Sequence, residues 1–236
     1  MQTRPLPRLE ENASPAALSR VAARLYKCSP LLTRQLQRYR PFICPFDRLL
    51  PLVPAGTSVL DVGCGAGLFL NLLAASGHTG PLHGLDASGS AIAAAQRAAA
   101  QLPAGASVRF ECRDATQEWP SASFDVVSLI DVMHHIPPQA QQGVIARVAR
   151  ALAPGGVFIY KDMVARPLWL AGANRLHDLL LARQWIHYAA LHDVERWCRD
   201  AGLVPGGAVG TRLYCYGHEW LLATKPLLAL NVRSEP

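Results

Sequence analysis

The segment Val59-Leu60-Asp61-Val62-Gly63-Cys64-Gly65-Ala66-Gly67 constrains the fold more than any other part of this chain. Val59 and Leu60 are adjacent apolar residues, the pattern of a parallel strand covered on both faces. Gly63, Gly65 and Gly67 then allow a sharp backbone turn and leave room for a ligand. The apolar stretch Leu68–Ala75 continues as a helix, so the turn lies at a helix N-terminus, where anionic groups are favoured. With glycine near ~7% of residues, three fixed glycines recur by chance at about 3 in 10,000 positions.

The spacing also separates cofactor classes. A nicotinamide or flavin fingerprint needs G-x-G-x-x-G or G-x-G-x-x-A. Starting from Gly63 and Gly65, that pattern requires Gly or Ala at position 68, which is Leu68. A second acidic landmark, Asp86-Ala87, ends the next expected strand 25 positions after Asp61. The dinucleotide fold places a ribose-binding acid about 20 residues beyond its glycine turn. Ser88 is available to cap the following helix, which leaves Asp86 for a sugar.

A chain of 236 residues, half of them hydrophobic, fits one domain with a sizeable core and room for a cap. No run approaches the ~20 apolar residues of a membrane span, and the N-terminus lacks the apolar core of a signal peptide. The six cysteines form no C-x-x-C pair. They read as reduced thiols of a cytoplasmic protein, with no metal site expected. The net charge of +6 resides entirely in residues 1–50, which hold nine basic and three acidic side chains. That end is either a solvated helical face or a dock for an acidic partner.

Residues 1–14 are expected to be a disordered tail and 15–52 a helical cap. The cap should break near Ser29-Pro30, end its second helix at Arg40-Pro41, and close with a short helix over Phe46–Leu52. Residues 53–228 form the main domain and 229–236 a tail. Strands are expected at Ser58–Val62, Pro81–Asp86, Ser107–Glu111, Phe124–Ile130 and Val157–Lys161. Helices are expected at Leu68–Ala75, Gly89–Gln101 and Gln139–Leu152, the last stopped by Gly155-Gly156. Such alternation argues for βαβ units and a parallel sheet. The alternation fails over an insert at 163–188. A helix over Asp193–Ala201 and a hairpin of Val204–Thr211 with His218–Thr224 complete the pattern.

The D-x-G-x-G-x-G turn, Asp86, Asp114-Ala115 after the third strand, Phe124-Asp125-Val126-Val127 with Asp131-Val132-Met133-His134-His135, and Ala153-Pro154-Gly155-Gly156 together carry a resemblance. The chain is similar to the class I, Rossmann-like methyltransferases that use S-adenosylmethionine, in particular small-molecule types such as those of ubiquinone and menaquinone synthesis. The resemblance covers roughly residues 55–162 and 190–225. It implies an α/β fold with helices on both faces of a seven-stranded, mostly parallel sheet ordered 3-2-1-4-5-7-6. It implies binding of S-adenosylmethionine, and of its product S-adenosylhomocysteine, by Asp61, Gly63, Cys64, Gly65 and Gly67. In the same way Asp86 and Ala87 would meet the ribose, Asp114 and Ala115 the adenine, and main chain at Ile130 and Asp131 the methionine end. Tyr39 and Arg40 are expected to fold over the cofactor from the cap.

Methyl transfer from a sulfonium is an in-line displacement in which the protein supplies orientation and electrostatics. A base is needed only where the acceptor arrives protonated, as a phenol or alcohol does. His134 and His135 follow strand four and Asp162 follows strand five. In the implied topology these strands are neighbours whose carboxyl ends open on the ligand crevice. His135 is the expected base or orienter, with Asp162 fixing its tautomer and His134 in reserve; packing beneath the cofactor is the bland alternative. Trp169, Arg175, His177, Arg183, Trp185, His187 and Tyr188 of the insert are expected to wall an aromatic or acyl acceptor. No Asp/Asn cluster for Mg²⁺ is complete, and the N/D-P-P-Y/F motif of base-amine methylation is absent.

The chain is therefore read as a cytoplasmic methyltransferase acting on oxygen or carbon of a small or carrier-bound metabolite. A phenolic, polyene or polyketide-like acceptor of secondary metabolism is favoured, and an acidic acyl carrier protein would suit the basic cap. The alternatives are an RNA methyltransferase using that cap as a phosphate-binding arm, for which no RNA module is recognisable, and a non-catalytic cofactor-binding protein.

Overall fold

The computed structural model describes residues 13–163, 189–213 and 216–227. Within these, the two adjacent apolar residues of β1 (Val59–Val62) bury on opposite faces of one sheet. Val59 joins a core with Leu18, Leu25, Phe46, Phe69, Leu72 and Ile92, while Leu60 joins one with Val127, Val144, Ile145, Phe158 and Val194. That two-sided burial explains why the strand reads as a continuous apolar run rather than an alternating one.

The sheet has seven strands in the order β3-β2-β1-β4-β5-β7-β6. Here β2 is Leu82–Asp86, β3 Val108–Cys112, β4 Phe124–Ile130, β5 Leu152–Met163, β6 Val204–Leu213 and β7 Tyr216–Thr224. The first five strands pair parallel, and β7 runs antiparallel to both β5 and β6. One face carries α1 (Pro15–Leu25), α4 (Leu68–Ala75) and α5 (Gly89–Ala99). The other carries α6 (Pro138–Ala151) and α7 (Leu191–Asp200). The expected order, mixed pairing and two-faced layering are all present.

Several boundaries differ for identifiable reasons. Residues 1–12 of the expected tail lie outside the described residues, but Ser14 belongs to the fold: its hydroxyl accepts from Ala17 N–H and caps α1. Helix α2 (Leu31–Ile43) passes through Pro41 instead of ending before it. Only the Gln37 carbonyl loses its partner to the proline ring, and the Cys44 N–H still reaches the Arg40 carbonyl at 2.9 Å. The segment read as one helix over 46–52 is a four-residue α3 (Phe46–Leu49) followed by a 3₁₀ turn, Leu50–Leu52. Gly155-Gly156 does not stop a helix. Helix α6 ends at Ala151, and the glycines lie inside β5, which is far longer than expected. Gly155 takes φ +80 beside a register shift, and a Cβ at Gly156 would stand 2.8 Å from the Ala153 carbonyl oxygen. Of the insert expected at 163–188, Met163 is the last residue of β5; residues 164–188 and the tail at 229–236 lie outside the described residues.

Candidate cofactor and acceptor site

The glycine turn is held from three sides. Gly63 and Cys64 both donate N–H to the Leu85 carbonyl, at 2.7 and 2.9 Å, which locks the end of β1 to the end of β2. All three glycines adopt positive φ, at +73, +55 and +75. Two of them are also demanded by packing: a Cβ on Gly63 would stand 2.1 Å from Val132 Cγ2, and one on Gly67 2.5 Å from Phe110 Cζ. Gly65 is different. A Cβ there meets only Arg40 Nη1, at 3.9 Å, so the turn is open at its middle glycine.

A residue that no motif singled out supports the turn from beneath. Tyr26, at the end of α1, is fully buried and donates its hydroxyl to the Ala66 carbonyl at 2.6 Å. Asn71, a lone amide in the apolar helix α4, donates to the same hydroxyl at 3.3 Å and to the Ala95 carbonyl at 3.4 Å. The isolated asparagine was the available sequence signal for this network; burial pushes the Tyr26 phenol above its usual range.

Asp86 meets the open side of the turn. One carboxylate oxygen accepts from Gly65 N–H at 2.8 Å and the other from Ser88 N–H at 2.8 Å. Ser88, not Asp86, caps α5, its hydroxyl accepting from Ala91 N–H. Each carboxylate oxygen keeps a lone pair for a further donor. Asp61 lies deeper. It accepts from the Ser128 hydroxyl at 2.7 Å, and burial pushes its carboxyl up to about 7 against that hydrogen bond and the pull of Arg40. Arg40, Asp61, Gly63, Cys64, Leu68, Phe69 and Ile130 line one small cavity. Tyr39 is exposed, with the Arg38 guanidinium 5.7 Å above its ring, and does not line that cavity.

At the end of β4, Asp131 takes a left-handed conformation, φ +56, unusual for a residue with a side chain. Its N–H donates to the Lys161 carbonyl at 2.8 Å. Its carboxylate is bound by the Lys161 ammonium and lies 3.5 Å from the Arg40 guanidinium. Burial alone would raise the Asp131 carboxyl, but Lys161 and then Arg40 outweigh it and hold it far below the usual carboxylate range.

Across the second face, at the end of β3, Asp114 is exposed and turned to its own loop. It accepts from Thr116 N–H and hydroxyl at 2.7 and 2.6 Å, and these bonds lower its carboxyl. The Ala115 carbonyl accepts from the Trp119 indole N–H at 3.0 Å. The Ala87 carbonyl lies 3.5 Å from Cys112 Sγ.

The histidine pair requires a correction. Asp162 engages His134, not His135: the His134 ring Nδ1 lies 2.5 Å from one carboxylate oxygen, and its main-chain N–H donates to the other at 3.2 Å. Met163 N–H also donates to Asp162, at 2.8 Å. Both partners are buried, whereas His135 is exposed with its ring centroid 4.2 Å from that of His134. The short 3₁₀ turn Met133–His135 causes the exchange, because its curvature directs successive side chains to different sides. Glu219 faces Asp162 across the β5–β7 pair, and burial followed by that neighbour raises its carboxyl to about 7. Trp169, Arg175, His177, Arg183, Trp185, His187 and Tyr188 lie outside the described residues. Among the described residues, no group of three or more His, Cys, Asp or Glu side chains is placed to hold a metal.

The residues present suit a cationic nucleoside with an amino-acid tail: a carboxylate with spare lone pairs at the turn, an open middle glycine, and one acid, Asp61, with one guanidinium, Arg40, on the cavity wall. Comparison with known proteins agrees. The profile of a family described as a methyltransferase domain matches residues 33–205. A ubiquinone biosynthesis O-methyltransferase of Pseudomonas syringae pv. tomato is 30% identical over 165 residues, covering 66% of this chain and 68% of that one. A 27-O-demethylrifamycin SV methyltransferase of Amycolatopsis mediterranei is 32% identical over 174 residues, covering 71% and 62%. Among solved structures, magnesium protoporphyrin IX methyltransferase from Synechocystis PCC 6803 with bound S-adenosylhomocysteine superposes with a TM-score of 0.65 at 21% identity, covering 87% and 93%. The [4+2]-cyclase SpnF has a TM-score of 0.62 at 20% identity, covering 76% and 80%.

Proposed function

The chain belongs to the methyltransferase-domain family and is an S-adenosylmethionine-dependent methyltransferase; on that premise we propose that it methylates an oxygen of a small organic acceptor. The observation that carries the cofactor side is the meeting of Asp86 with the Gly65 N–H at the open middle of the glycine turn. When bound, S-adenosylmethionine supplies the electrophile, a methyl group on a sulfonium sulfur. Asp86 accepts from the ribose hydroxyls with its remaining lone pairs. Main chain at Asp114 and Ala115 borders the adenine, with the Asp114 carboxylate committed to Thr116. Arg40 faces the carboxylate of the methionine end.

Three features support an oxygen acceptor. The names of both relatives describe O-methylation. His135 is exposed at the carboxyl end of β4, where a base can take the proton of a phenol or alcohol. Its neighbour His134 is fixed by Asp162, which anchors the turn that presents His135. His134 and Asp162 thus act as positioning residues in this reading. The aromatic and basic residues of 163–188 wall a phenolic, polyene or polyketide-like acceptor. The basic N-terminal region suits an acidic carrier, and the free thiols of Cys28, Cys44, Cys64, Cys112 and Cys198 suit a reducing cytoplasm.

Incubation with methyl-labelled S-adenosylmethionine and extract from the source cells tests this reading. Label should appear in a small organic product, or in one released from a carrier by thioester cleavage, as a methyl ether or ester. Label confined to RNA, or none in any pool although the cofactor binds, would overturn it.

A further inference from the structure

Lys161 stands out because no step above uses it and, among the described residues, it is a lysine with no exposed surface. It is 0% exposed in the middle of the sheet, paired in register with Ile130 on one side and Trp220 on the other. A lysine ammonium is not placed there without a partner. Its partner is Asp131, whose other carboxylate oxygen faces Arg40 at 3.5 Å. The two cations on this one carboxylate differ in freedom. Lys161 is sealed in, and its carbonyl also accepts the Asp131 N–H. Arg40 comes from the cap, has a side chain 31% exposed, and is the one cation among the described residues that lines the small cavity at the glycine turn.

Resting on the cofactor assignment above, we propose that Lys161 is a positioning residue that neutralises Asp131 permanently, so that Arg40 can leave Asp131 for the carboxylate of the bound cofactor. The physical reason is the cost of an unpaired buried charge. If Arg40 were the sole partner of Asp131, moving it to a ligand would strand a largely buried carboxylate without a counter-charge. With Lys161 in place, Asp131 keeps a partner in either position of Arg40. The Asp131 main chain is held separately, by its N–H bond to the Lys161 carbonyl, which substitution of the Lys161 side chain leaves in place.

The test compares two ligands by titration calorimetry: S-adenosylhomocysteine, which has the carboxylate, and 5′-methylthioadenosine, which lacks the whole amino-acid end. K161M confines Arg40 to Asp131. It should weaken S-adenosylhomocysteine about tenfold or more, one tenfold step being about 1.4 kcal/mol, and leave 5′-methylthioadenosine within about twofold. D131N/K161M removes both buried charges, a replacement often neutral for folding, and should return S-adenosylhomocysteine to about the wild-type affinity. Should K161M not fold, the double variant carries the test by that same return. Equal losses for both ligands, an unchanged K161M, or a double variant still tenfold weak toward S-adenosylhomocysteine would each overturn the role of Lys161. If neither ligand binds the wild-type protein, the cofactor assignment itself fails.

Discussion

His134 and His135 are neighbours in sequence with different surroundings, and two substitutions separate their roles. His135→Asn should lower kcat more than about tenfold, as loss of a base does, while the affinity for the cofactor holds. Unchanged turnover would remove His135 from the reaction. Asp162→Ala removes the acceptor of His134 Nδ1, His134 N–H and Met163 N–H together. It should cost about 3 kcal/mol in denaturant unfolding, the usual scale for breaking a buried pair. Asp61 gives a pH prediction. Its carboxyl is protonated up to about pH 7 in the free protein. A cationic ligand in the same cavity favours the carboxylate, so binding should expel a proton. The affinity for S-adenosylmethionine should therefore rise as pH rises toward about 7, with proton release measurable by calorimetry in buffers of different ionisation heat. Asp61→Asn should abolish that release. The expectation that Asp162 would serve His135 was reasonable from strand adjacency; the direction of side chains on a single 3₁₀ turn is not written in residue spacing.

At the scale of elements, α1 and the glycine turn are one unit because of Tyr26. Its hydroxyl satisfies the Ala66 carbonyl and takes the Asn71 amide. Tyr26→Phe leaves a buried carbonyl unpaired, which should lower stability by about 1–3 kcal/mol and weaken cofactor binding, both readable from one thermal titration. An equal binding constant in this variant would show that the cap does not support the turn. The parallel strands and most helices were legible, since period and punctuation are local signals. The Tyr26 contact spans 40 positions, and nothing local announces it. Gly155-Gly156 shows the converse error. A glycine pair after a helical pattern reads as a stop, yet the same pair serves equally as a bulge within a strand, and only the β4 partner decides between them.

For the whole molecule, the sheet order followed from a resemblance carried by five short motifs, and the structure has that order. The cofactor side of the cleft was legible because glycine conformation and acid placement leave marks in sequence. Lys161 was less so: a single lysine closing an apolar strand reads as a strand end until its Asp131 partner is seen. Ligand linkage gives a test at this scale. At a concentration about 100 times its Kd, S-adenosylhomocysteine should stabilise the fold by about 2.7 kcal/mol, raising Tm by roughly 5–10 °C for a chain of this size. A melting curve indifferent to ligand would disagree.

The most direct measurement is calorimetric titration of S-adenosylmethionine into the wild-type protein and into Asp86→Asn, which keeps the side-chain shape and removes the charge that accepts from the sugar. One site per chain in the wild type and about tenfold or greater weakening in the variant, the scale of a lost charged hydrogen bond, is the predicted result. No binding to the wild type, or the same affinity in both proteins, would contradict the placement of the cofactor over the glycine turn.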